Sequence, residues 1–489
     1  MIMTLDDLNP LMPLLIVTAT AIIAMLMIGI RRSYLLTGAI AITGLLIAAI
    51  VAATMMSYTN QQLTPLLIID QYSLFFTLLI CAAAMFIAIL SFPYFFNLDD
   101  HKEEYYLLLV VATIGAIVMV SSNHFVSALL GLETLSMSLY GMVAYPLHSK
   151  NAAKYPLEAA VKYLVLSGVA SAFIVFGMAL VYAQTGSLSF SSLLDVSGSA
   201  NGLSDSYSII ALLLITAGMA FKLSLAPFHL WTPDVYEGSP LPATSYLATI
   251  GKAAMFVLML RFIITSEALS FPSIVMVFSL LAAASILAGN LLALSQDNLK
   301  RILAYSSIAH MGYLLLAVIA SYSTEGSISI EAVTFYLLAY VIMSLGAFAV
   351  ASVISSSEKE FDAVSDYRGL FWRNPWLAAS FMTMLLSLAG IPLTIGFIGK
   401  FYLFLAGVEA GLWVLLAVLV IGSGIGLYYY LRIVYQMLMP EDKSLQYRIA
   451  GIESLSSYGV IAVLVFLLLL LGIYPAPVMS IVASVSAYL

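Results

Sequence analysis

The sequence predicts an all-α polytopic membrane protein with about fourteen transmembrane helices of about 20 residues each. Two observations lead to this fold class: 63% of the 489 residues are hydrophobic with only 9% charged, and the apolar residues form long runs with short connections. So few charges cannot cover the surface of a soluble globule of this length. The net charge of −7 comes without any lysine or arginine run longer than two residues, so no nucleic-acid partner is expected.

Apolar runs of bilayer length define the predicted spans. The amino-terminal segment is acidic where a signal peptide would be basic, so the first run is predicted to be a spanning helix and not a cleaved leader. The spans are predicted near residues 11–30, 34–56, 71–92, 105–121, 124–145, 157–183, 207–230, 241–264, 271–294, 301–321, 331–354, 375–405, 410–438 and 457–486.

The basic residues test this topology, because cytoplasmic loops hold an excess of lysine and arginine. Of the 18 basic residues, thirteen fall in alternate loops and none in the opposite loops. Both termini are therefore predicted to be extracytoplasmic. The thirteen are Arg31, Arg32, Lys102, Lys150, Lys154, Lys300, Arg301, Lys359, Arg368, Arg373, Arg432, Lys443 and Arg448.

Two of the predicted spans look interrupted. The seventh holds Lys222 and then Pro227, and the twelfth reads LAGIPLTIGFIGKF, in which Gly390 and Pro392 precede Lys400. Glycine and proline free backbone polar groups, which a bilayer tolerates only beside protein or water. Interrupted spans at corresponding positions of two halves indicate an internal repeat and a binding site.

The spacing of the interruptions predicts how the halves are related. They lie five spans apart, and an odd offset reverses the direction in which a repeat crosses the membrane. Spans four to eight and nine to thirteen are therefore predicted to be two inverted five-helix repeats. The predicted regions are 1–104 for three peripheral helices, 105–265 for the first repeat, 266–440 for the second repeat, and 441–489 for the last loop and helix.

Glu133 in the fifth span and Lys222 in the seventh are predicted to form a pair within the membrane. Ionisable residues at membrane depth are rare, face a protein interior or a water cavity, and mark ion paths. A carboxyl group there is either protonated or paired, and Lys222 is the nearest plausible counter-charge for Glu133. The alternative is a static ion pair that only fixes the register of the helices.

Three further residues extend the predicted proton path. Lys252 lies too deep in the eighth span to reach the membrane surface easily, and Lys400 adjoins the interruption of the twelfth span. His310 is predicted to relay protons between the two halves, since a neutral imidazole both donates and accepts hydrogen bonds. A packed and hydrogen-bonded core histidine is the alternative reading of His310.

The remaining intramembrane charges give weaker signals. Lys162 follows Glu158 by four residues, the spacing of an ion pair on one helix, and is a candidate site residue. His229 and Asp234 follow the seventh-span interruption and are candidates for a cytoplasmic access point, although a solvated loop also explains Asp234. Arg261, near the end of the eighth span, is predicted to be an interfacial anchor.

Several kinds of chemistry have no support in the sequence. A single cysteine, Cys81, provides neither a disulfide nor a thiolate metal site. No P-loop, GxGxxG, HExxH or CxxC pattern occurs, so nucleotide binding, metallohydrolysis and haem ligation are not predicted. Charge relay is the predicted activity, and any redox cofactor is expected in another subunit.

Four stretches together carry a family resemblance: FKLSLAPFHLWTPDVYEGSP, GLETLSMSLYG, LKRILAYSSIAHMGY and LAGIPLTIGFIGKF. They resemble the antiporter-like membrane subunits of respiratory complex I over essentially the whole chain. Two of these patterns are shared with subunits L and M and with multisubunit cation/proton antiporters. The form FHLWTPDVYEGSP, the lysine at position 400, the length and the lack of a long carboxy-terminal lateral helix resemble the bacterial subunit N branch.

The resemblance implies a fold and a set of roles. It implies fourteen helices with inverted five-helix repeats around a central hydrophilic axis. Glu133 and Lys222 would be a coupling pair, Lys252 and His310 a central relay, and Lys400 the terminal proton donor. It also implies partner subunits M, K, J and A in a bacterial inner membrane, with lipids around them. NADH oxidation, quinone reduction, FMN and iron–sulfur clusters would belong to other subunits, and this chain would hold no cofactor or metal.

Other functions remain open from the sequence. A subunit of a cation/proton antiporter or of a membrane-bound hydrogenase would share the lysines and interrupted spans. A structural scaffold subunit, whose charges only hold helices together, is the alternative from another class. A free-standing solute carrier has less support, because no feature selects an organic substrate.

Overall fold

A computed structural model provides the structure of the chain. It describes residues 6–56, 61–62, 64–98, 101–145, 156–193, 202–323, 327–356, 359–440 and 455–489. Four of the basic residues used to predict the topology, Lys150, Lys154, Lys443 and Arg448, lie outside the described residues.

Nearly all of the described chain is helical. One antiparallel hairpin pairs β1, Gln61–Gln62, with β2, Ile68–Ile69, and short 3₁₀ helices occur at Asp6–Leu11, Phe190–Leu193, Ala268–Ser270 and Val364–Tyr367. The α-helices are α1 Met12–Ile30, α2 Tyr34–Met55, α3 Gln71–Tyr94, α4 Glu104–Val120, α5 Phe125–Ala144, α6 Pro156–Thr185, α7 Gly202–Lys222, α8 Trp231–Gly238, α9 Leu241–Tyr246, α10 Lys252–Thr265, α11 Pro272–Leu294, α12 Leu299–Ser323, α13 Ser327–Ile354, α14 Leu370–Arg373, α15 Pro375–Ala389, α16 Ile395–Glu409, α17 Trp413–Leu438, α18 Leu455–Ile473 and α19 Ala476–Ser486.

The helices confirm the predicted fold class. Within the described residues, 11 helices are long and apolar enough to cross a membrane, and each coincides with a predicted span. The other predicted spans are the fourth, which is the short helix α4, and the seventh and twelfth, which are broken. The seventh and twelfth spans are each divided into shorter helices, as the proline and glycine residues within them predicted.

The seventh span breaks earlier than its predicted end at residue 230. Helix α7 ends at Lys222, and α8 begins only at Trp231. A proline ring excludes the helical carbonyl four residues before it, so Pro227 is incompatible with a helix that continues through Leu223. Ser224 has a left-handed φ of 63°, and Leu225 N donates to Ala220 O at 2.8 Å, which is the 6→1 bond of a Schellman motif.

The twelfth span breaks with the same motif. Gly390, at φ +87°, follows the last residue of α15, and Ile391 N donates to Leu386 O at 3.0 Å in the 6→1 bond. Glycine is favoured here because a left-handed conformation strains other residues. Two interrupted spans, five spans apart, thus end their first segments in the same way, which supports the predicted repeat.

The eighth span contains a feature that the sequence did not predict. Residues 241–265 form one helix, called the Lys252 helix below, in which α9 and α10 are joined by a π-helical turn at Leu247–Gly251. Such single π turns within α-helices are frequent at functional sites. Lys252 is the first residue after this turn.

The core lies around three helices of the middle of the chain. The most apolar stretches of α12, α13 and the Lys252 helix are 100%, 94% and 89% buried. Helix α3, which the predicted boundaries place outside the repeats, is 67% buried, against 33% for α6 inside the first repeat. The core is therefore built from both predicted repeats together with α3.

The fourteenth span was predicted as one helix over 457–486, and this is wrong. Helix α18 ends at Ile473, and a separate helix α19 begins at Ala476. Pro475 and Pro477 lack backbone N–H groups, so they suit a helix start and not a helix interior.

Candidate functional site

Lys222 is the last residue of α7 and points into a cluster of hydroxyl groups. Its Nζ donates to Ser136 Oγ of α5 at 3.0 Å and to Ser167 Oγ of α6. Tyr140 OH also donates to Ser167 Oγ, at 2.7 Å. The carboxy-terminal end of a helix carries partial negative charge, which favours a cation at this position. Hydroxyls of two neighbouring helices therefore hold the ammonium at the break.

Glu133 belongs to the same cluster but does not contact Lys222. Ser171 Oγ donates to Glu133 Oε1 at 2.5 Å, and Ser167 lies one turn away from Ser171 on α6. Among the described ion pairs, defined by an N–O distance of up to 4.0 Å, none joins Glu133 and Lys222. The predicted pair is therefore not in direct contact, and each charge bonds to a different serine of α6.

A small cavity connects Lys222 with the Lys252 helix. It offers about 20 Å³ to the centres of water molecules and is lined by Lys222, Ser136, Trp231, Gly251 and Met255, among others. This volume suffices for about one water molecule. Gly251 precedes Lys252 directly, so the cavity reaches from Lys222 to the backbone of the Lys252 helix at the residue before Lys252.

Lys252 is buried at 1% exposure, deep in the protein. Its Nζ donates to Ser307 Oγ of α12 and lies 5.8 Å from the centre of the Tyr236 ring. Within the described part of the chain, no carboxylate forms an ion pair with it. The charge of Lys252 is therefore held by one hydroxyl and one aromatic face, which together replace little of its lost hydration.

His310 lies one turn after Ser307 on α12, at the helical spacing that puts both on one face. Its Nδ1 is 2.6 Å from Tyr336 OH, and its Nε2 is 3.4 Å from Tyr430 OH. Tyr430 OH also contacts Ser306. Both ring nitrogens of His310 thus have hydroxyl partners, which is the arrangement that a relay and a satisfied core histidine would share.

Lys400 lies on α16, just after the break in the twelfth span. Its Nζ donates to Ala389 O at 2.8 Å and to Ser423 Oγ at 3.0 Å, and it lies 5.4 Å from the centre of the Tyr313 ring. Ala389 is the last residue of α15, so its carbonyl belongs to the negative end of that helix. Lys400 therefore satisfies a carbonyl group that the break leaves free.

Lys162 and Asp234 lie in a separate, exposed cluster of charges. Lys162 Nζ contacts Glu158 at 2.8 Å, as the spacing predicted, and Asp234 at 2.9 Å. Arg301 contacts Asp234 at 2.9 Å and Glu237 at 2.8 Å. Burial raises the pKa of Asp234, but hydrogen bonds from Lys162 and Arg301 outweigh this and lower the pKa below its usual value. Four of these side chains line a cavity of about 160 Å³: Glu158, Lys162, Asp234 and Glu237.

His229 lies in the first break, apart from this cluster. It is buried at 7% exposure, and neither ring nitrogen has a hydrogen-bond partner among the described residues. Its ring packs edge-on near Tyr305, with 6.4 Å between the ring centres. The predicted access role of His229 stays a prediction, because no contact joins it to Asp234.

Arg261 is not the interfacial anchor that the sequence predicted. It is buried at 3% exposure and forms a two-pronged ion pair with the fully buried Asp70. The error arose because position near the end of a span does not reveal which distant segment covers it. Asp70 gave one usable signal, since an isolated acid directly before an apolar run often caps a helix, and it caps α3.

Lys300 is likewise buried, although the topology assigned it to a cytoplasmic loop. It lies in the first turn of α12 at 1% exposure, and its Nζ contacts Glu360 Oε2 at 2.5 Å. The neighbouring Arg301 points instead to the exposed charge cluster. Adjacent residues of one helix face opposite environments, which a count of charges in loops cannot detect.

Metal ligands are not clustered in the described residues. No group of three or more histidine, cysteine, aspartate and glutamate side chains there is arranged to hold a metal ion. Cys81 is buried and free of disulfides.

Comparison with known proteins relates the chain to one family. Residues 122–426 match the family model described as NADH:quinone oxidoreductase/Mrp antiporter, TM. NADH-quinone oxidoreductase subunit N of Methylococcus capsulatus is 46% identical over 486 residues, covering 99% of this chain and 96% of that protein.

Solved structures show the same similarity in three dimensions. A chain of respiratory complex I from Thermus thermophilus has a TM-score of 0.81 and 32% identity, covering 96% of this chain and 99% of that one. A chain of the Mrp complex from a Dietzia species has a TM-score of 0.85 at 19% identity, covering 100% and 98%. The second likeness concerns the fold alone.

Proposed function

The chain belongs to the family of antiporter-like, proton-translocating membrane subunits that includes NADH:quinone oxidoreductase and Mrp antiporter subunits, and from this premise we propose how it moves protons. It acts as the subunit N type of membrane subunit in NADH:quinone oxidoreductase. The observation that carries the proposal is a series of ionisable side chains at membrane depth, Lys222, Lys252, His310 and Lys400, each of which has at least one hydroxyl partner. Ionisable side chains at membrane depth have a functional role by default.

The proton path runs from the first repeat to the second. Lys222 and Glu133 respond to each other through Ser167 and Ser171, and the small cavity beside Lys222 leads to Lys252. A buried lysine gives up its proton readily when the charge around it changes. His310 passes protons on from the Lys252 region through tyrosine hydroxyls, and Lys400 ends the path.

Among the residues that the structure describes, no carboxylate pairs with Lys252, and this is the best support for a lysine that alternates between charged and neutral forms. A lysine that merely held two helices together would need a counter-charge to offset its desolvation. Arg261 and Lys300, both elsewhere in the same core, have such counter-charges. The difference separates relay lysines from structural cations.

Another membrane subunit covers the first-repeat end of the path. Glu133 and Lys222 are only partly buried, and Met137 and Leu130 of α5 are 66% and 60% exposed beside them. A charged group facing lipid is costly, so this face binds a partner that shields it. The partners are the other membrane subunits of the complex, including subunit M and the small subunits K, J and A.

Redox chemistry takes place elsewhere in the complex. FMN, iron–sulfur clusters and quinone bind to other subunits, where NADH is oxidised and quinone is reduced, and this chain contributes proton movement alone. The complex lies in the inner membrane of a bacterium. Both termini of this chain lie on the periplasmic side, because the basic loops lie on the cytoplasmic side.

A cation/proton antiporter subunit is the second candidate. The fold of the Mrp complex chain supports it, with a TM-score of 0.85. The sequence favours the first candidate, since identity is 46% to the NADH-quinone oxidoreductase subunit and 19% to the Mrp chain. Sodium dependence of transport in the isolated complex would distinguish them, because only the antiporter requires a second cation.

The test is NADH-driven proton pumping in membranes that carry Lys252→Ala. We expect normal assembly with pumping and quinone reduction both lowered by an order of magnitude, which corresponds to about 1.4 kcal/mol in the rate-limiting barrier. Lys102→Ala is the matched control, since that lysine binds a surface carbonyl, Phe96 O. An assembled Lys252→Ala complex that pumps like the parent would exclude a relay role and favour a scaffold.

A further inference from the structure

Two buried ion clusters hold the two ends of the Lys252 helix. At one end, Arg261 Nη1 donates to Asp70 Oδ2 at 2.7 Å and Nη2 donates to Asp70 Oδ1 at 3.0 Å. Asp70 is 0% exposed and Arg261 3%. Both oxygens of the carboxylate are thus engaged in a planar, two-pronged geometry that fixes orientation as well as distance.

Glu360 makes the corresponding contacts at the other end. Its Oε1 accepts from the backbone N–H of Leu241 at 3.0 Å and from Tyr94 OH. Its Oε2 accepts from Lys300 Nζ at 2.5 Å, and Lys300 also donates to Ser239 O at 2.9 Å. Leu241 is the first residue of the Lys252 helix, so Glu360 binds an N–H group that helix geometry leaves free.

Helix α3 takes part in both clusters. Asp70 is its capping residue, with Asp70 Oδ1 accepting from Ser73 N at 2.7 Å, and Tyr94 is its last residue. Helix α3 therefore runs antiparallel to the Lys252 helix. Asp70 bonds directly to Arg261 at one end, and Tyr94 is linked to Leu241 through Glu360 at the other. The two helices are nearly equal in length, with 24 residues in α3 and 25 in residues 241–265.

The π turn lies between these two fixed ends. One extra residue in a helical turn rotates everything after it by about 100° relative to what precedes it. If either end were free to turn, the helix could lose the π turn and Lys252 would rotate away from Ser307. Tyr340 OH donates to Ala248 O within the turn at 2.9 Å, which further favours the π-helical form.

Stability alone does not account for the two clusters. A buried ion pair loses so much hydration that apolar side chains of similar volume often stabilise a protein as well or better. What charges add is a defined geometry, since a displaced carboxylate or guanidinium is left unpaired in the core. The charges lie at the two ends of the helix whose rotation matters most.

We propose that α3 is a strap that fixes the rotation of the Lys252 helix, with Asp70, Arg261, Glu360 and Tyr94 as positioning residues for Lys252. The strap keeps the π turn in place and directs the Lys252 ammonium at Ser307. This inference rests on the proposed relay role of Lys252. It assigns to α3, outside the predicted repeats, a part in proton transfer.

The test measures pumping per assembled complex in variants at both ends of the strap. Tyr94→Phe removes one hydroxyl without leaving a charge unpaired, and Arg261→Gln breaks the other end. We expect about two-fold lower pumping for Tyr94→Phe and about ten-fold for Arg261→Gln, the range for residues that act through another. Arg32→Gln, which breaks the exposed pair with Glu104, is the matched control and should pump normally.

A double-mutant cycle separates positioning from general destabilisation. If the strap acts by aiming Lys252 at Ser307, then Ser307→Ala combined with Tyr94→Phe pumps no worse than the weaker of the two single variants. A merely structural role of Tyr94 gives losses that multiply, and that outcome overturns the strap. If Arg261→Gln fails to assemble, the cycle of Ser307→Ala and Tyr94→Phe still tests the strap. Pumping at the parent rate by Tyr94→Phe would also overturn the strap.

Failure of the strap and failure of the relay are distinguishable. The strap alone is wrong if Lys252→Ala abolishes pumping while Tyr94→Phe and Arg261→Gln pump normally. The relay itself is wrong if Lys252→Ala pumps normally in the same membranes.

Discussion

The two broken spans end their first segments alike but place their lysines differently. Both α7 and α15 close with a Schellman motif, through Ser224 and Gly390 in left-handed conformations. Lys222 lies before its break and donates to hydroxyls on two other helices. Lys400 lies after its break and donates to the carbonyl of Ala389 within the same span.

This difference concerns which part of the structure holds each charge. In the first break, Trp231 Nε1 donates to Phe221 O at 3.0 Å, so a neutral indole satisfies a carbonyl at the end of α7. Lys222 is then free to respond to Glu133 and the serines. In the second break, Lys400 itself donates a hydrogen bond to the carbonyl group at the end of α15. We infer that the charge state of Lys222 depends on groups of neighbouring helices, whereas that of Lys400 depends on the backbone conformation of its own break.

The largest effect is expected for Lys400→Arg. Arginine keeps the positive charge beside Ala389 O but cannot release a proton, so a proton donor at this position is lost while the anchor remains. We expect pumping in the assembled complex to fall by an order of magnitude or more, about 1.4 kcal/mol per ten-fold. Lys400→Ala should fail alike. Pumping at the parent rate in Lys400→Arg would show that Lys400 only anchors the break.

Lys222→Ala should suppress quinone reduction and pumping together. Removing the ammonium leaves Glu133 without its counter-charge, so the carboxyl either binds a proton or resists the coupled charge movement. We expect a loss on the order of ten-fold in both rates. Assembly should stay intact, because Trp231 and not Lys222 donates a hydrogen bond to the carbonyl group of Phe221 at the end of α7. A fully assembled variant with normal rates would contradict the role given to Lys222 in the first repeat.

Glu133→Gln should be milder than Lys222→Ala. The amide oxygen still accepts from Ser171, and only the charge is removed. The two residues bond to serines one turn apart on α6 and are proposed to act together, so their effects should not add when they are expressed as free energies. A double variant whose loss equals the sum of the two single losses would mean that Glu133 and Lys222 act separately.

Gly390→Ala should have the smallest effect on pumping and a visible effect on stability. The added methyl group would sit at φ +87° and 2.9 Å from Lys400 Cδ, and a left-handed conformation costs a non-glycine residue about 1–2 kcal/mol. Thermal unfolding of the purified complex checks this. Gly424→Ala is the matched control, since Gly424 lies inside α17 without a left-handed conformation and the same methyl group would meet open space there. Equal stability of both variants would contradict the role given to Gly390.

Much of the fold followed from local properties of the sequence. Span length depends on bilayer thickness and on the apolar runs themselves, so the helices and their order could be predicted. The breaks followed from Pro227 and Gly390, because proline and glycine act on their own backbone. The depth of Lys222, Lys252 and Lys400 followed from their positions within the runs.

Only the tertiary structure decided which charges meet. Asp70 and Arg261 are 191 residues apart, and nothing in either segment specifies the other, since a pairing between distant helices depends on how their faces pack. The same reason explains why Glu133 and Lys222 bond to different serines of α6 and why Lys300 is buried while Arg301 is not. The π turn before Lys252 also depends on packing. The two ends of the Lys252 helix are held by Asp70 of α3 and by Glu360, which lie far away in the sequence.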